Sequence, residues 1–310
     1  MSSQPPVLVI GRSGQVASAL QRLAPELLPQ RPLLVAARPE LDLAAPALEL
    51  AATVEQLLEQ HQPALVLNAA AYTAVDKAES EPELATAING TAVGVIAHAC
   101  SARSLPLFHL STDYVFAGDG DRPWREDDPT GPLGVYGASK LAGEEALRAA
   151  GGHHLLLRVS WVFGEEGANF VRTMLRLGAE RPALSVVADQ IGGPTSAEAI
   201  ATTWLQLAEA AISNYSPRDP AKPFPWGTYH YAGEPAVSWH GFAAEIFEQA
   251  VALGLLEQAP ALTAIPTSAY PTPAARPPNS RLDCSHFRAA FEIPLPDWRE
   301  DLRSCLRAWA

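Results

Sequence analysis

The chain has 310 residues and a mass of 33.0 kDa, which allows one large domain or two modest ones. Its 22 Lys and Arg residues are outnumbered by 34 Asp and Glu residues, so the formal net charge is −12. This charge disfavours binding to nucleic acid or to an anionic membrane surface, since both need a basic surface. The hydrophobic share of 48% is sufficient for a sizeable core and disfavours disorder.

The three cysteines indicate a reducing compartment. Cys100, Cys284 and Cys305 stand far apart and form no metal-binding or redox motif, so we interpret them as small buried hydrophobic residues. The apolar run Val7–Ile10 is too short for a signal peptide, and no uncharged apolar run approaches the ~20 residues that span a bilayer. The sequence therefore predicts a cytoplasmic protein without a membrane partner and without a metal site.

In the first half of the chain, short apolar runs alternate with stretches of helical spacing. Strands are predicted at 7–10, 33–36, 64–67, 107–110 and 155–159, and helices at 16–23, 53–61, 81–102 and 136–149. This alternation predicts an α/β fold with a Rossmann-type, doubly wound parallel sheet. Ligands of such sheets bind at the carboxyl ends of the strands.

The second half is less regular and predicts a smaller α/β substrate domain at the carboxyl terminus. Helices are expected at 197–212 and 239–253, and the Pro-rich stretches 216–226 and 265–278 are expected to be a loop and an extended surface strip. We assign residues 1–160, with 196–233 returning to them, to an NAD(P)-binding domain, and residues 161–195 and 234–310 to a substrate domain.

A glycine-rich turn follows the first predicted strand and opens a helix. Glycine allows a sharp turn and close approach of a pyrophosphate, while the helix N-terminus offers free N–H groups. Ala17 is small enough for close packing of helix and strand. The turn that we expect to hold the pyrophosphate comprises Gly11, Arg12, Ser13, Gly14, Gln15 and Val16.

The residues after the second strand bear on the choice of cofactor. An acid there would bind the ribose hydroxyls of NAD, whereas Arg38 suits a 2′-phosphate and favours NADPH. An exposed loop arginine is an equally simple interpretation of Arg38. Asp42 and Leu43 are placed to hold an adenine ring between an acid and an apolar wall. NADPH is therefore the expected cofactor, and NADH stays possible.

Two further strand ends carry candidate residues. Ala69, Ala70 and Ala71 would let a ligand lie on the backbone, although small residues also suit a crowded strand end. Thr112 and Asp113 follow the strand at 107–110 and therefore lie at the ligand edge.

A tyrosine and a lysine begin the predicted helix at 136–149. Tyr136 and Lys140 are four residues apart and share one helical face. A lysine ammonium beside a tyrosine would lower its pKa and prepare it for proton transfer to a carbonyl. Tyr136, Lys140 and Thr112 are therefore the candidate catalytic residues.

These motifs identify a family. The chain resembles the extended short-chain dehydrogenase/reductases and, among them, the dTDP-4-dehydrorhamnose reductases, over nearly its whole length. The stretches that carry the resemblance are 68–82, 111–116, 135–144, 160–162, 189–195 and 266–283.

The resemblance implies roles for individual residues. Tyr136 would donate the proton to the C4 carbonyl oxygen, Lys140 would bind the nicotinamide ribose, and Thr112 would supply the catalytic hydroxyl. Asp113 and Trp161 would contact the sugar. Asp42 and Leu43 would contact the adenosine end, and Ala71, Tyr72 and Thr73 would line the cofactor cleft. Tyr72 replaces a histidine that is common in relatives.

The expected activity is NADPH-dependent reduction of the C4 keto group of dTDP-4-dehydro-L-rhamnose, a sugar nucleotide, to dTDP-L-rhamnose. A monomer or a homodimer is expected. Two alternatives stay open: a non-catalytic regulatory subunit that resembles methionine adenosyltransferase β, and a reductase or epimerase of another nucleotide sugar.

Overall fold

A computed structural model describes residues 4–214 and 223–310. Within these described residues, short and mostly apolar segments form thirteen strands: β1 (Val7–Ile10), β2 (Leu33–Ala36), β3 (Leu65–Asn68), β4 (Leu107–Thr112), β5 (His154–Val159), β6 (Val162–Phe163), β7 (Ala183–Val187), β8 (Ile191–Gly192), β9 (Thr195–Ser196), β10 (Gly227–His230), β11 (Val237–Ser238), β12 (Ala261–Ile265) and β13 (Asn279–Ser280).

In the same part of the chain, eleven α-helices connect or flank these strands: α1 (Gln15–Leu27), α2 (Ala47–His61), α3 (Val75–Ala78), α4 (Pro82–Thr86), α5 (Ala92–Ala102), α6 (Val135–Ala149), α7 (Phe170–Glu180), α8 (Ala197–Asn214), α9 (Trp239–Ala252), α10 (Ser285–Phe291) and α11 (Trp298–Arg307).

The central sheet has six parallel strands in the order β10-β5-β4-β3-β1-β2. Both faces are covered, because successive side chains of each strand point to opposite sides. Val7 and Val9 of β1 pack with α1 and α8, whereas Leu8 and Ile10 pack with α2 and α5. The predicted Rossmann-type fold class is confirmed.

The smaller body has its own hydrophobic core between α7, α9 and α11. Phe163, Phe242, Trp298 and Leu302 are completely buried there. β7 and β12 form a parallel pair, and β8 lies between β11 and β13. The segment over α8 and β10 belongs physically to the first body, since α8 packs on α1 and β10 pairs with β5.

The Pro-rich strip after β12 crosses from the smaller body to the larger one. It is extended except for a 3₁₀ turn over Thr267–Ala269, and Arg276 forms a 2.7 Å ion pair with Asp76 of α3. Pro277 packs so closely on Gly118 that a Cβ on that glycine would lie 2.1 Å from the proline ring. The other Pro-rich prediction, 216–226, falls mostly outside the described residues.

The helix expected at 81–102 differs from its prediction in two respects. It consists of α4, a π-helical turn over Ala87–Thr91, and α5. Contrary to expectation, its span Pro82–Ala102 is long and apolar enough to cross a membrane by length and composition alone. However, it packs between α2 and α6, with Val93 and Ile96 almost fully buried, and so serves as a core helix.

Candidate active site

The glycine turn lies between the carboxyl end of β1 and the first turn of α1. Gly11 has a φ of +115°, and a Cβ there would lie 3.2 Å from the Ala70 nitrogen, so the turn requires glycine. Gly14 is open to solvent and precedes a helix whose first N–H groups lack a side-chain cap. This open helix N-terminus beside two glycines fits a pyrophosphate.

The side chains around this turn have different environments. Arg12 and Ser13 are exposed, and Val16 is buried against the sheet. Gln15 turns toward the smaller body, where its Nε2 lies 3.5 Å from the Val162 oxygen and its Oε1 accepts from Asn169 Nδ2 at 3.2 Å. The Gln15 side chain is therefore engaged with the smaller body, and it is the free backbone N–H groups in the first turn of α1 that can face an anion.

The residues beyond β2 lie at the same edge of the sheet. Arg38 and Asp42 are exposed, and Leu43 is buried in the core between them and α2. Asp42 accepts from the Ala44 backbone N–H at 3.0 Å. The structure therefore places Arg38 and Asp42 near the second strand end, with both side chains accessible to a ligand.

The segment after β3 is shaped by a buried asparagine that sequence analysis did not identify. Asn89, in the π-helical turn, accepts from the Tyr72 N–H at 2.8 Å and donates to the Tyr72 oxygen at 3.0 Å. It also donates to Ser139 Oγ of α6 at 3.0 Å. Asn89 thus fixes the backbone at Tyr72, within the predicted wall of Ala69, Ala70, Ala71, Tyr72 and Thr73. Its signal in the sequence is an asparagine within an apolar helix.

The Tyr72 side chain is also held by hydrogen bonding. Its hydroxyl donates to Glu81 Oε2 at 2.7 Å, and Lys77 forms an ion pair with Glu81 at 2.8 Å. Tyr72 is therefore held by hydrogen bonds at both its backbone and its hydroxyl.

Thr112, Asp113 and Tyr136 meet at the carboxyl end of β4. The Thr112 hydroxyl donates to Asp113 Oδ1 at 3.1 Å and lies close enough to Tyr136 to lower the pKa of the phenol. Burial raises the pKa of Tyr136 to about 12, which the Thr112 hydrogen bond opposes. Burial also raises the pKa of Asp113 to about 6, against hydrogen bonds with Ser280 and Thr112. The cluster therefore holds a protonated phenol at neutral pH.

Lys140 lies one turn further along α6 but is not directed at Tyr136. Its ammonium group donates to the Leu110 carbonyl at 2.7 Å and lies 3.5 Å from His109 Nε2. Burial lowers the pKa of Lys140 to about 8, although the Glu144 carboxylate acts in the other direction. Burial dominates the pKa of Tyr136 in this arrangement, and the tuning of Tyr136 by Lys140 stays a prediction.

Trp161 follows β5 and lies at the same edge of the sheet, because Thr112 and Val159 are paired in register. Its φ of +48° is unusual for a bulky residue and marks local strain. The indole stacks on Trp239 at 3.6 Å between ring centroids, and a Cβ on Gly192 would lie 2.5 Å from it. The expected sugar contact is thus rigidly held.

Sequence analysis also missed a buried ion pair below this cluster. Arg158 of β5 donates to both carboxylate oxygens of Glu144 at 2.9 and 2.7 Å, and both side chains are nearly inaccessible. Among residues 4–214 and 223–310, no group of three or more His, Cys, Asp or Glu side chains is placed to bind a metal ion.

The parallel sheet, the glycine turn and the Tyr136–Lys140 helix define an oxidoreductase of the short-chain dehydrogenase/reductase class. Residues 5–310 match the family described as RmlD substrate binding domain. The dTDP-4-dehydrorhamnose reductase of Salmonella typhimurium is 43% identical over 300 residues, covering 97% of this chain and 96% of that protein. The chain belongs to the dTDP-4-dehydrorhamnose reductase family.

Solved structures agree with this assignment. The crystal structure of dTDP-4-dehydrorhamnose reductase from Bacillus anthracis in complex with NADP has a TM-score of 0.86 and 31% identity, and the match covers 98% of this chain and 99% of that one. The corresponding reductase from Clostridium acetobutylicum has a TM-score of 0.86 and 29% identity, with 98% and 99% covered. The predicted family resemblance is confirmed.

Proposed function

We propose that the chain reduces the C4 keto group of dTDP-4-dehydro-L-rhamnose to give dTDP-L-rhamnose, with NADPH as its cofactor. The observation that carries this proposal is the cluster of Thr112, Asp113 and Tyr136 at the carboxyl end of β4. Family membership supports this substrate. The match to relatives named dTDP-4-dehydrorhamnose reductase covers nearly the full length of those proteins.

The cofactor site is supported by the shape of the glycine turn. Gly11 and Gly14 leave the N-terminus of α1 open, and the backbone of Ala69 and Ala70 lies against Gly11. Arg38, at the end of β2, is available for a 2′-phosphate. When bound, the nicotinamide supplies the hydride for the carbonyl carbon. A solved relative was crystallised with NADP, which agrees with a preference for NADPH.

Tyr136 supplies the proton. Because its pKa is raised to about 12, the phenol stays protonated at neutral pH and can donate to the oxygen that becomes an alcohol. The Thr112 hydroxyl lies beside Tyr136 and can form a hydrogen bond to the same substrate oxygen. Asp113 is buried at this strand end, and within the described part of the chain no group donates a hydrogen bond to its Oδ2. This unused acceptor can take a hydrogen bond from a sugar hydroxyl of the substrate.

The decisive experiment supplies the 4-keto sugar nucleotide with NADPH and follows the loss of nicotinamide absorbance. Turnover that depends on both components supports the reductase. Tight NADPH binding without turnover would instead favour a regulatory subunit, and faster turnover of another 4-keto nucleotide sugar in the same assay would change the assigned substrate. The intact Thr112–Tyr136 cluster favours catalysis over a purely regulatory role.

We further propose a cytoplasmic enzyme that acts as a monomer or homodimer, with an NAD(P)-binding domain of residues 1–160 and 196–233. The packing of α8 and β10 on the first body supports this division. Light scattering of the purified chain tests the oligomeric state, and a sugar nucleotide that protects residues 161–195 and 234–310 from proteolysis would support the second domain as the substrate domain.

A further inference from the structure

A buried chain of polar side chains runs behind the catalytic helix. Asn68 ends β3, His109 lies in β4, and Lys140 lies in α6, and each is at most 2% exposed. Asn68 Nδ2 is 3.1 Å from His109 Nδ1, and His109 Nε2 is 3.5 Å from Lys140 Nζ. The three side chains therefore form one continuous line from the cofactor wall to the lysine.

The orientation of the Asn68 amide sets which atoms donate and which accept along this line of side chains. The Ala70 backbone N–H donates to Asn68 Oδ1 at 3.3 Å, so the oxygen of this amide faces the cofactor wall and its NH₂ faces His109. His109 is completely buried, and burial is the main cause that holds the pKa of the ring well below its ordinary value, so the ring is neutral and carries one proton. Since Nδ1 accepts from Asn68, that proton sits on Nε2.

The Nε2 proton of His109 then points at Lys140. An ammonium group has three donors and no acceptor, whereas a neutral amine has two donors and one lone pair. The amine form can donate to the Leu110 carbonyl and accept from His109 at the same time. The ammonium form can satisfy only the first of these contacts.

Three other titratable groups lie near this line of side chains: Glu144, His154 and Tyr136. Glu144, one turn along α6, favours the ammonium, but its carboxylate is engaged by Arg158 and Arg148. His154 of β5 lies beyond His109 and further disfavours positive charge on that ring. Tyr136 shares the helical face of Lys140 and is protonated at neutral pH. His109 is thus the only neighbour in this set that donates toward Nζ.

We propose that Asn68 and His109 are positioning residues that direct an imidazole N–H at Lys140 and thereby favour its neutral amine form in the cofactor-free enzyme. This inference rests on the proposed function only in giving Lys140 a place in the active site. Neither Asn68 nor His109 needs to touch the substrate for this effect.

The first test is the tautomer of His109, read from long-range ¹H–¹⁵N NMR spectra of the cofactor-free protein. The chain has eight histidines, and His109→Gln identifies the signal of interest. A neutral ring with its proton on Nε2 is expected across neutral pH. A proton on Nδ1 would overturn the proposal, because Nε2 would then accept from an ammonium group.

The second test titrates Lys140 directly. The sequence contains only three lysines, Lys77, Lys140 and Lys222, so ¹³C-labelled lysine gives three side-chain signals that Lys77→Arg and Lys222→Arg assign. His109→Phe removes the donor, and the midpoint of Lys140 should rise by about one pH unit, the equivalent of one hydrogen bond. A midpoint that falls or stays unchanged contradicts the proposal.

Two further variants guard against a purely structural effect. Asn68→Leu leaves the lysine contacts intact but frees the imidazole to change tautomer, so the Lys140 midpoint should rise here too. His109→Gln keeps an amide N–H near the Nε2 position and should restore most of the wild-type midpoint. If Asn68→Leu leaves the titration midpoint of Lys140 unchanged, the proposed role of Asn68 in orienting His109 is refuted. Because both readouts use the cofactor-free protein, they stay informative even if the reductase assay fails.

Discussion

Asn169 of the smaller body is hydrogen-bonded to Gln15 at the first turn of α1, with 3.2 Å between Asn169 Nδ2 and Gln15 Oε1. The next residue, Phe170, packs on Trp239 at 4.6 Å between ring centroids, and Trp239 stacks on Trp161. A continuous line of contacts therefore joins the expected pyrophosphate turn to the expected sugar contact. The two halves of the active site are held in position by the same few side chains.

Replacing Asn169 tests this junction. Asn169→Ala removes the N-cap bond to the Arg172 N–H and the bonds to Gly164 and Gln15. We expect the free energy of unfolding to fall by about 1–3 kcal/mol, from a lost cap and two lost hydrogen bonds. We also expect the KM for NADPH to rise, because Gln15 loses its support. Chemical denaturation and steady-state kinetics measure the two effects.

The control is Asn169→Ser. Serine is an effective N-cap, but its side chain is too short to reach Gln15. This variant should recover the contribution of the cap, about 1 kcal/mol, while keeping the raised KM. Equal KM values for the wild type and both variants would show that the junction has no influence on cofactor binding.

Much of the first body could be predicted from the sequence. Buried parallel strands such as β1 and β3 are short continuous apolar runs, and each glycine or hydroxyl at their ends falls automatically at the ligand edge. The second body could not be predicted in the same detail. β6, β8, β9, β11 and β13 have two residues each, which is too short for any periodicity to be read.

The site shows the same division between local and long-range information. The four-residue spacing of Tyr136 and Lys140 correctly placed both on α6, but where Lys140 donates depends on β4, which lies 30 residues earlier. The start of α2 at residue 47, rather than 53, has a related cause, because Leu50 belongs to a core formed with distant strands. The pKa of Tyr136 is likewise set by burial in the folded chain, which its four-residue spacing from Lys140 does not reveal.

Tyr136→Phe should lower kcat by about 10²–10⁴-fold, the usual contribution of a positioned proton donor, while the dissociation constant for NADPH stays within a few-fold of the wild type. Tyr114→Phe is a matched control, since the Tyr114 ring packs edge-on to Tyr136 at 5.5 Å. It should leave kcat nearly unchanged. A Tyr136→Phe variant with wild-type kcat would remove Tyr136 from the proton-transfer step.

Arg38→Ala tests the choice of cofactor. Arg38 is exposed at the end of β2, and a guanidinium hydrogen-bonded to a phosphate contributes about 1.5–3 kcal/mol, so kcat/KM for NADPH should fall by at least ten-fold. The value for NADH should change little. Arg176→Ala, on the exposed face of α7, is the control and should affect neither. An equal loss with both nucleotides would make Arg38 a general contact.

The ion pair of Glu144 and Arg158 predicts a large effect on stability. Removing one partner leaves a buried charge, which typically costs about 3–5 kcal/mol, so Arg158→Met should destabilise strongly at neutral pH. Arg158 holds the pKa of Glu144 below its ordinary value, despite burial. The stabilisation is therefore present above the ordinary carboxyl pKa and is lost as the pH falls through the lower folded-state value. Denaturation curves of both proteins should accordingly converge in acid.

Asp113 should show the opposite dependence on pH. Its pKa of about 6 in the folded state exceeds that of the unfolded chain, so between these values the folded protein binds more protons and stability falls as the pH rises. Relative to the wild type, Asp113→Asn should gain up to about 3 kcal/mol between pH 4 and pH 7, while losing activity. The control is Asp128→Asn: Arg122 lowers the pKa of Asp128 to about 2, so its pH dependence has the opposite sign and falls below about pH 4, and its difference from the wild type should stay constant between pH 4 and pH 7. Urea denaturation across this range measures both differences, and a gain for Asp113→Asn that is constant with pH would show that Asp113 is ionised throughout.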